Sequence, residues 1–256
     1  MKTDVCYELL RPSQVVARRR ACPLAYLPLG VIEWHGPQNP LGLDGLKVHE
    51  LCVRAAAQGG GLVFPVLWYG EHRESYLAEA NVPVKSAIAK EMRLPATNFD
   101  RGYMGGRTII EQSTFYQDLL YHVYYQIRSL GFEAIYVLVG HGPLKNYAIL
   151  TSKVFERATG IVMEVSFAAD LVEGYREDHA GRYETGVMME LRPELVDLST
   201  LPEGDKSELV GIAGEDPREG SAELGSEFVE KCVKQLVNAG NELLTRRASD
   251  GSMGVQ

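Results

Sequence analysis

The sequence predicts an α/β fold, a three-layer α/β/α sandwich around a mainly parallel sheet, and three observations carry that expectation. Short apolar runs alternate with longer helical patterns along most of the chain, as in successive βαβ units. The run Glu133-Ala134-Ile135-Tyr136-Val137-Leu138-Val139 is wholly apolar in its second half, as a central parallel strand covered on both faces must be. Glycine-bearing loops with His and Glu follow these runs, so the chemistry-bearing residues gather beyond the carboxyl ends of strands, where open α/β sheets bind ligands.

Taken in order, residues 13–20 read as a helix and 25–32 as a buried strand. Composition is helical over 46–57 and stops at Gly59-Gly60-Gly61. Residues 62–67 read as a second short strand, although Pro65 removes a ladder donor. Residues 75–107 carry Asn81, Pro83, Pro95, Gly102, Gly105 and Gly106 and read as a long irregular excursion. Ser113 is the expected N-cap of a helix over 114–130, which ends before Gly131. A helix over 146–157, a strand over 161–167 and a short helix over 184–191, stopped by Pro193, follow the central strand. The tail over 220–246 places Leu224, Phe228, Val229, Val233, Leu236 and Leu243 at helical intervals, an amphipathic closing helix. With no internal repeat or low-complexity segment, 1–256 reads as a single domain.

Composition bounds the partners. The 256 residues are 45% hydrophobic and 23% charged, an ordinary globular balance. A net charge of -8 argues against a nucleic-acid partner. Arg18-Arg19-Arg20 reads as a solvated helix end rather than a phosphate patch. Cys6, Cys22, Cys52 and Cys232 form no CxxC pair, which suggests reduced thiols in a cytoplasmic protein. No signal-peptide apolar region is visible at the N-terminus, and no run approaches the ~18 apolar residues of a membrane span.

The most informative stretch begins where the first strand should end. Glu33-Trp34-His35-Gly36-Pro37-Gln38-Asn39-Pro40-Leu41-Gly42 closes on Asp44. Glu33 and His35, two apart on extended chain, share one face. The prolines and glycines suit a loop that turns Asp44 back beside them. Carboxylate, imidazole and carboxylate form a donor set that Zn, Mn or Fe(II) accepts. Gly140-His141-Gly142 directly follows the central strand, and its glycines leave the ring room to face an ion; a histidine capping the next helix is the competing reading. His179-Ala180-Gly181-Arg182-Tyr183-Glu184-Thr185 enters a helix. His179 suits proton transfer near neutrality, while Glu184 fits either as a metal ligand or as a first-turn acid on the helix dipole. Tyr69-Gly70-Glu71-His72 makes His72 a pocket-lining candidate, and Trp34 and Trp68 stand beside these loops as pocket walls or as core.

These pieces resemble the creatininase (creatinine amidohydrolase) family. Leu27-Pro28-Leu29-Gly30-Val31-Ile32-Glu33-Trp34-His35-Gly36-Pro37 with Pro40-Leu41-Gly42-Leu43-Asp44 is similar to its LPxGxxExHGPHLPxGxD motif. Gly140-His141-Gly142 with Asn146 resembles GHGGN, and His179-Ala180-Gly181-x-x-Glu184-Thr185 resembles HAGxxET. The resemblance implies a metal-dependent hydrolase of non-peptide C–N bonds in small cyclic or linear amides, assembled as a homohexamer. It implies two divalent ions per subunit (Zn, Mn or Fe), one on Glu33, Asp44 and His141 and the other on His35 and a bridging Asp44, with His179 as proton carrier. Creatinine-hydrolysing members place an acidic ligand two residues after the matching histidine, where this chain has Pro143, so Glu184 is the candidate replacement and assists proton transfer. Trp34 and Gln38 depart from the common residues, which points away from creatinine as substrate. Trp34, His72, Lys145 and residues 75–107 are the candidates for substrate selection. Two alternatives stand beside this expectation: an Fe(II) or Zn(II) formamide deformylase, revealed by formate release, and a metal-free binding subunit.

Overall fold

The computed structural model describes residues 2–70, 84–99, 107–176 and 178–253. Four parallel strands, β1 (Leu24–Leu29), β2 (Leu62–Val63), β3 (Ala134–Val139) and β4 (Val162–Phe167), form one sheet in the order β2-β1-β3-β4. Around it lie α1 (Pro12–Ala21), α2 (Leu43–Gly59), α3 (Lys85–Glu91), α4 (Ile109–Ser129), α5 (Leu144–Thr159), α6 (Arg182–Leu191) and α7 (Ala222–Met253).

Strand periodicity builds the three layers. Leu24, Tyr26, Ala134, Tyr136 and Leu138 point to one face, where they pack with Val48 and Leu51 of α2 and with Phe228, Val233 and Leu236 of α7. Ala25, Leu27, Leu29, Ile135, Val137 and Val139 point to the other, against Leu120 and Tyr124 of α4 and Ala148 and Phe155 of α5. Burial on both faces is why β1 and β3 are apolar without alternation. Each such aliphatic side chain contributes about 1.5–3 kcal/mol on burial, so a charge anywhere along either strand would break the sandwich.

Topology then locates the functional end. From β1 the chain passes through α2 to β2 on one side, whereas β3 pairs on the other side of β1. Strand order therefore reverses between β1 and β3, and a crevice opens beyond their carboxyl ends. The register runs from Leu24↔Ala134 to Leu29↔Val139, so both strands end level and their loops start side by side.

Several boundaries differ from the sequence expectation. β1 ends at Leu29, and residues 30–32 continue outside the ladder. β2 keeps only Leu62–Val63, because Pro65 offers no N–H; Leu67 N rejoins at Pro28 O (3.1 Å). The α4 N-cap is Thr108, whose hydroxyl accepts from Glu111 N while the Glu111 carboxylate accepts from Thr108 N at 2.7 Å. This is a capping box; Ser113 lies inside the helix and its hydroxyl meets Tyr147 Oη at 2.9 Å. Within 75–107 the described part is not irregular throughout: it contains α3, whose Ile88 and Ala89 are buried. Among the described residues no helix is long and apolar enough to cross a membrane.

Candidate metal centre

Close backbone approach assembles the site. Beyond β1 the extended chain presents Glu33 and His35 on one side and Trp34 on the other. The following loop folds back, with Glu33 N donating to Leu41 O at 3.0 Å, and delivers Asp44 in the first turn of α2 rather than on the loop itself. A Cβ on Gly30 would lie 2.4 Å from Gly45 Cα, and a Cβ on Gly140 would lie 2.2 Å from Asp44 O. Only glycine lets α2 start directly on the strand ends, which sets Asp44 beside Glu33 and His141.

The hydrogen bonds orient the rings. His35 Nδ1 lies 3.2 Å from Glu33 O, and a carbonyl can only accept, so Nδ1 carries the proton. Its Nε2 is buried without a hydrogen bond and faces Asp44 Oδ1 (3.4 Å), Glu33 Oε1 (3.7 Å) and Glu184 Oε2 (4.0 Å). His141 Nδ1 lies 3.2 Å from Asp44 Oδ2 and 3.7 Å from Glu33 Oε1. His179 donates from Nε2 to Trp34 O (2.9 Å), which turns Nδ1 toward Glu33 Oε1 at 3.3 Å. Glu184, in the first turn of α6, accepts from Ala180 N at Oε2 (2.8 Å) and from Lys47 Nζ at Oε1 (2.5 Å). Ala180 holds a left-handed φ of 56° between His179 and Gly181. Gln38 Nε2 binds its carbonyl at 2.8 Å and keeps it there.

Electrostatics concentrate negative charge in a dry place. Glu33, Asp44 and Glu184 are all buried. Burial alone would lower the His35 pKa, but Asp44 first, then Glu33 and Glu184, carry it up to about 10. Asp44 is pushed up by burial yet held well below its ordinary value by His35 and His141. Glu184 is likewise raised by burial and pulled lower overall by Lys47 and His35. Burial, aided by His35, lowers His179 to about 4. Asp178 is raised to about 6 by burial, although it accepts from Tyr183 N and Glu184 N and so caps α6. Buried carboxylates demand a counter-charge. Three overlapping donor groups, Glu33/Asp44/His141, His35/Asp44/Glu184 and Glu33/His35/His179, each bring their atoms within 4.8 Å. The unbonded His35 Nε2 among carboxylate oxygens and the mixed N/O donor set fit a divalent transition-metal ion.

A cavity of about 380 Å³ opens over this cluster. Glu33, Asp44, His141, His179 and Glu184 line its polar side, and Val84, Pro143, Leu209, Ile212 and Ala213 its apolar side. Trp34 does not line it. Its indole is buried, donates to Val210 O at 2.7 Å and packs on Ile88. Lys145 is also off the lining and pairs with Asp170 at 2.5 Å. His72 lies outside the described residues. Sequence reading missed Lys47 and Asp178. For Asp178 the available signal was an Asp just before the α6 turn; the three-residue spacing from Asp44 to Lys47 marks a shared helix face but not burial.

Residues 8–239 match the family model described as Creatininase: Creatinine amidohydrolase. The chain belongs to the creatininase family. A 3-dehydro-scyllo-inosose hydrolase of Thermotoga maritima is 32% identical over 84 residues, 32% of this chain and 27% of that protein. The creatinine amidohydrolase of Pseudomonas putida is 24% identical over 185 residues, 68% of this chain and 66% of that one. The matches thus span about a quarter and about two thirds of these relatives' own lengths. A solved creatinine amidohydrolase (creatininase) superposes with a TM-score of 0.70 at 21% identity, covering 93% of this chain and 98% of its own. Another, described as Creatininase Mn, gives a TM-score of 0.67 at 21% identity, with 93% and 98% covered. Creatininases therefore share this fold.

Proposed function

We propose that this chain is a metal-dependent hydrolase that cleaves a non-peptide C–N bond of a small cyclic or linear amide by attack of water. One observation carries the reading: Glu33, Asp44 and His141 converge, one donor atom each within 4.8 Å of the others, beside a small cavity onto which His179 opens. A divalent ion would be held by those three side chains, with His35 adjoining. When bound, such an ion polarises a carbonyl and acidifies water. Manganese, zinc and ferrous iron all suit the donors, and creatininase relatives described as Zn-Zn type and with Mn support the first two alike.

The chain's own groups supply orientation and proton transfer. Nε2 of His179 is tied to the Trp34 carbonyl, so only Nδ1 exchanges protons, and Nδ1 faces the cluster. Burial keeps the ring neutral at physiological pH, ready to accept the proton that leaves the attacking water. As the C–N bond breaks, Nδ1 returns that proton to the departing nitrogen, giving a carboxyl product and an amine. Glu184 holds the backbone N–H of Ala180 and so fixes the neighbouring His179 segment. The apolar wall suits a small ring or short side chain and keeps bulk water away from the reacting carbonyl.

The test is a panel of lactams, cyclic ureides, formamides and linear amides assayed with Mn(II)-, Zn(II)- or Fe(II)-loaded protein. An inosose-type carbocycle, which has no C–N bond, is included as the competing substrate class because the Thermotoga relative is named for one; its ring opening would release acid without amine. Metal-dependent release of amine and acid is expected, and Asp44→Ala abolishes it. Turnover of an amide at the same rate by chelator-stripped protein overturns the reading.

A further inference from the structure

A lysine shares the carboxylate cluster. Lys47 lies on α2 three residues beyond Asp44 and is buried to 5% exposure. Its Nζ is 2.5 Å from Glu184 Oε1 and 3.8 Å from Asp44 Oδ1. Those two carboxylates belong to the second donor group, His35/Asp44/Glu184. Taking the site as the hydrolytic metal centre proposed above, we propose that it holds a single divalent ion on Glu33, Asp44 and His141, and that the Lys47 ammonium occupies the place of a second. The two ions per subunit expected from the resemblance are thereby revised to one.

Two independent features support this. Both oxygens of Glu184 are already engaged, Oε1 by Lys47 and Oε2 by the Ala180 amide, so Glu184 has donors where a ligand would need a metal. The charge also balances. With His35 neutral, as a cation beside it favours, Glu33, Asp44 and Glu184 carry three negative charges, matched by three positive ones from one divalent ion and one ammonium. A second divalent ion would leave excess positive charge in a buried pocket and set it against the ammonium on shared carboxylates, which low dielectric penalises. Asp178 adds a further negative charge at the edge of the pocket, but its carboxylate faces the backbone amides of Tyr183 and Glu184 at the α6 N-terminus, whose dipole offsets it. Departure of Lys47 to solvent is barred by its position in the middle of a packed helix face, between Gly45 and Val48, both buried.

The experiment measures metal per chain by elemental analysis after the full-length protein is loaded with excess Mn(II) or Zn(II) and desalted. The wild type is expected to retain one equivalent. Lys47→Ala removes the charge and opens its space, and is expected to retain two. Glu184→Gln removes a partner of the lysine rather than a ligand, and is expected to keep one. Two equivalents in the wild type overturn the single-ion assignment while leaving the hydrolase reading intact; none overturns both. A folded Lys47→Ala protein, judged by its circular dichroism and melting, that still holds one equivalent also overturns it. If Lys47→Ala does not fold, loss of the ion from Glu184→Gln is the result that overturns it.

Discussion

Replacing Gly140 with alanine tests how backbone approach builds the site. The added Cβ would sit 2.2 Å from Asp44 O and 2.8 Å from Asp44 C, both rigid backbone atoms. Ordinary carbon contacts need about 3.5 Å, so the start of α2 must retreat from β3 by roughly 1 Å. Overpacking of this kind costs about 1–3 kcal/mol. At about 2–4 °C per kcal/mol for a protein of this size, the melting temperature falls by roughly 2–12 °C. The effect on metal is larger in proportion, because ligand distances tolerate only about 0.2 Å. Asp44 moves with α2 while Glu33 and His141 stay on the strand ends, and metal affinity falls by roughly 10–100-fold. Differential scanning calorimetry and titration calorimetry with Mn(II) read the two effects on one sample. A Gly140→Ala protein with wild-type melting and wild-type metal affinity refutes the reasoning.

Three further outcomes follow from the same geometry. Asp44→Ala, which removes a carboxylate shared by two donor groups, loses the bound metal and all hydrolysis, as read by elemental analysis and amide turnover. His179→Ala keeps its metal but loses roughly 10²–10⁴ in kcat, because proton transfer rather than ion binding is removed; loss of metal in this variant would make the imidazole a ligand instead. His49 is lowered from its ordinary 6.5 by burial, with Arg192 adding to it against Glu50 and Glu8. The folded state therefore refuses a proton that the unfolded chain accepts. Stability from neutral His49 is present above about pH 6.5 and is lost as pH falls toward the lowered folded value. Urea unfolding at pH 7.5 and 5.5 should show a smaller drop for His49→Gln than for the wild type, and equal drops would contradict this.

Much of the fold was legible because the sheet is covered on both faces. Runs such as 133–139 must then be apolar at every position, and β3 lies within one residue of the expected strand. The excess length assigned to β2 came from letting the apolar run outweigh the missing N–H of Pro65. The true start of α4 was also written in the sequence, as Thr108 and Glu111 three residues apart, but Ser113 offered a second cap signal inside the helix. At the site, Glu33, His35, Asp44 and His141 were identifiable because each lies where a strand end or a glycine-rich turn exposes it. Trp34 was separable from them in principle, since alternation along extended chain turns 34 away from 33 and 35. Lys47 was not. A lysine inside a helical pattern normally faces water, and its burial against Glu184 depends on α6 arriving from far along the chain, which no local pattern announces. The same holds for Lys145, whose pairing with Asp170 joins α5 to the segment after β4.

The central claim is that Glu33, Asp44 and His141 together hold a divalent cation. Anomalous diffraction from crystals of the protein grown with Mn(II) or Zn(II), without chelator, tests it most directly. The expected result is a strong anomalous peak about 2.0–2.3 Å from donor atoms of all three side chains, lost in crystals of Asp44→Ala. A peak held by other residues, or none at saturating metal with the three side chains ordered, would contradict it.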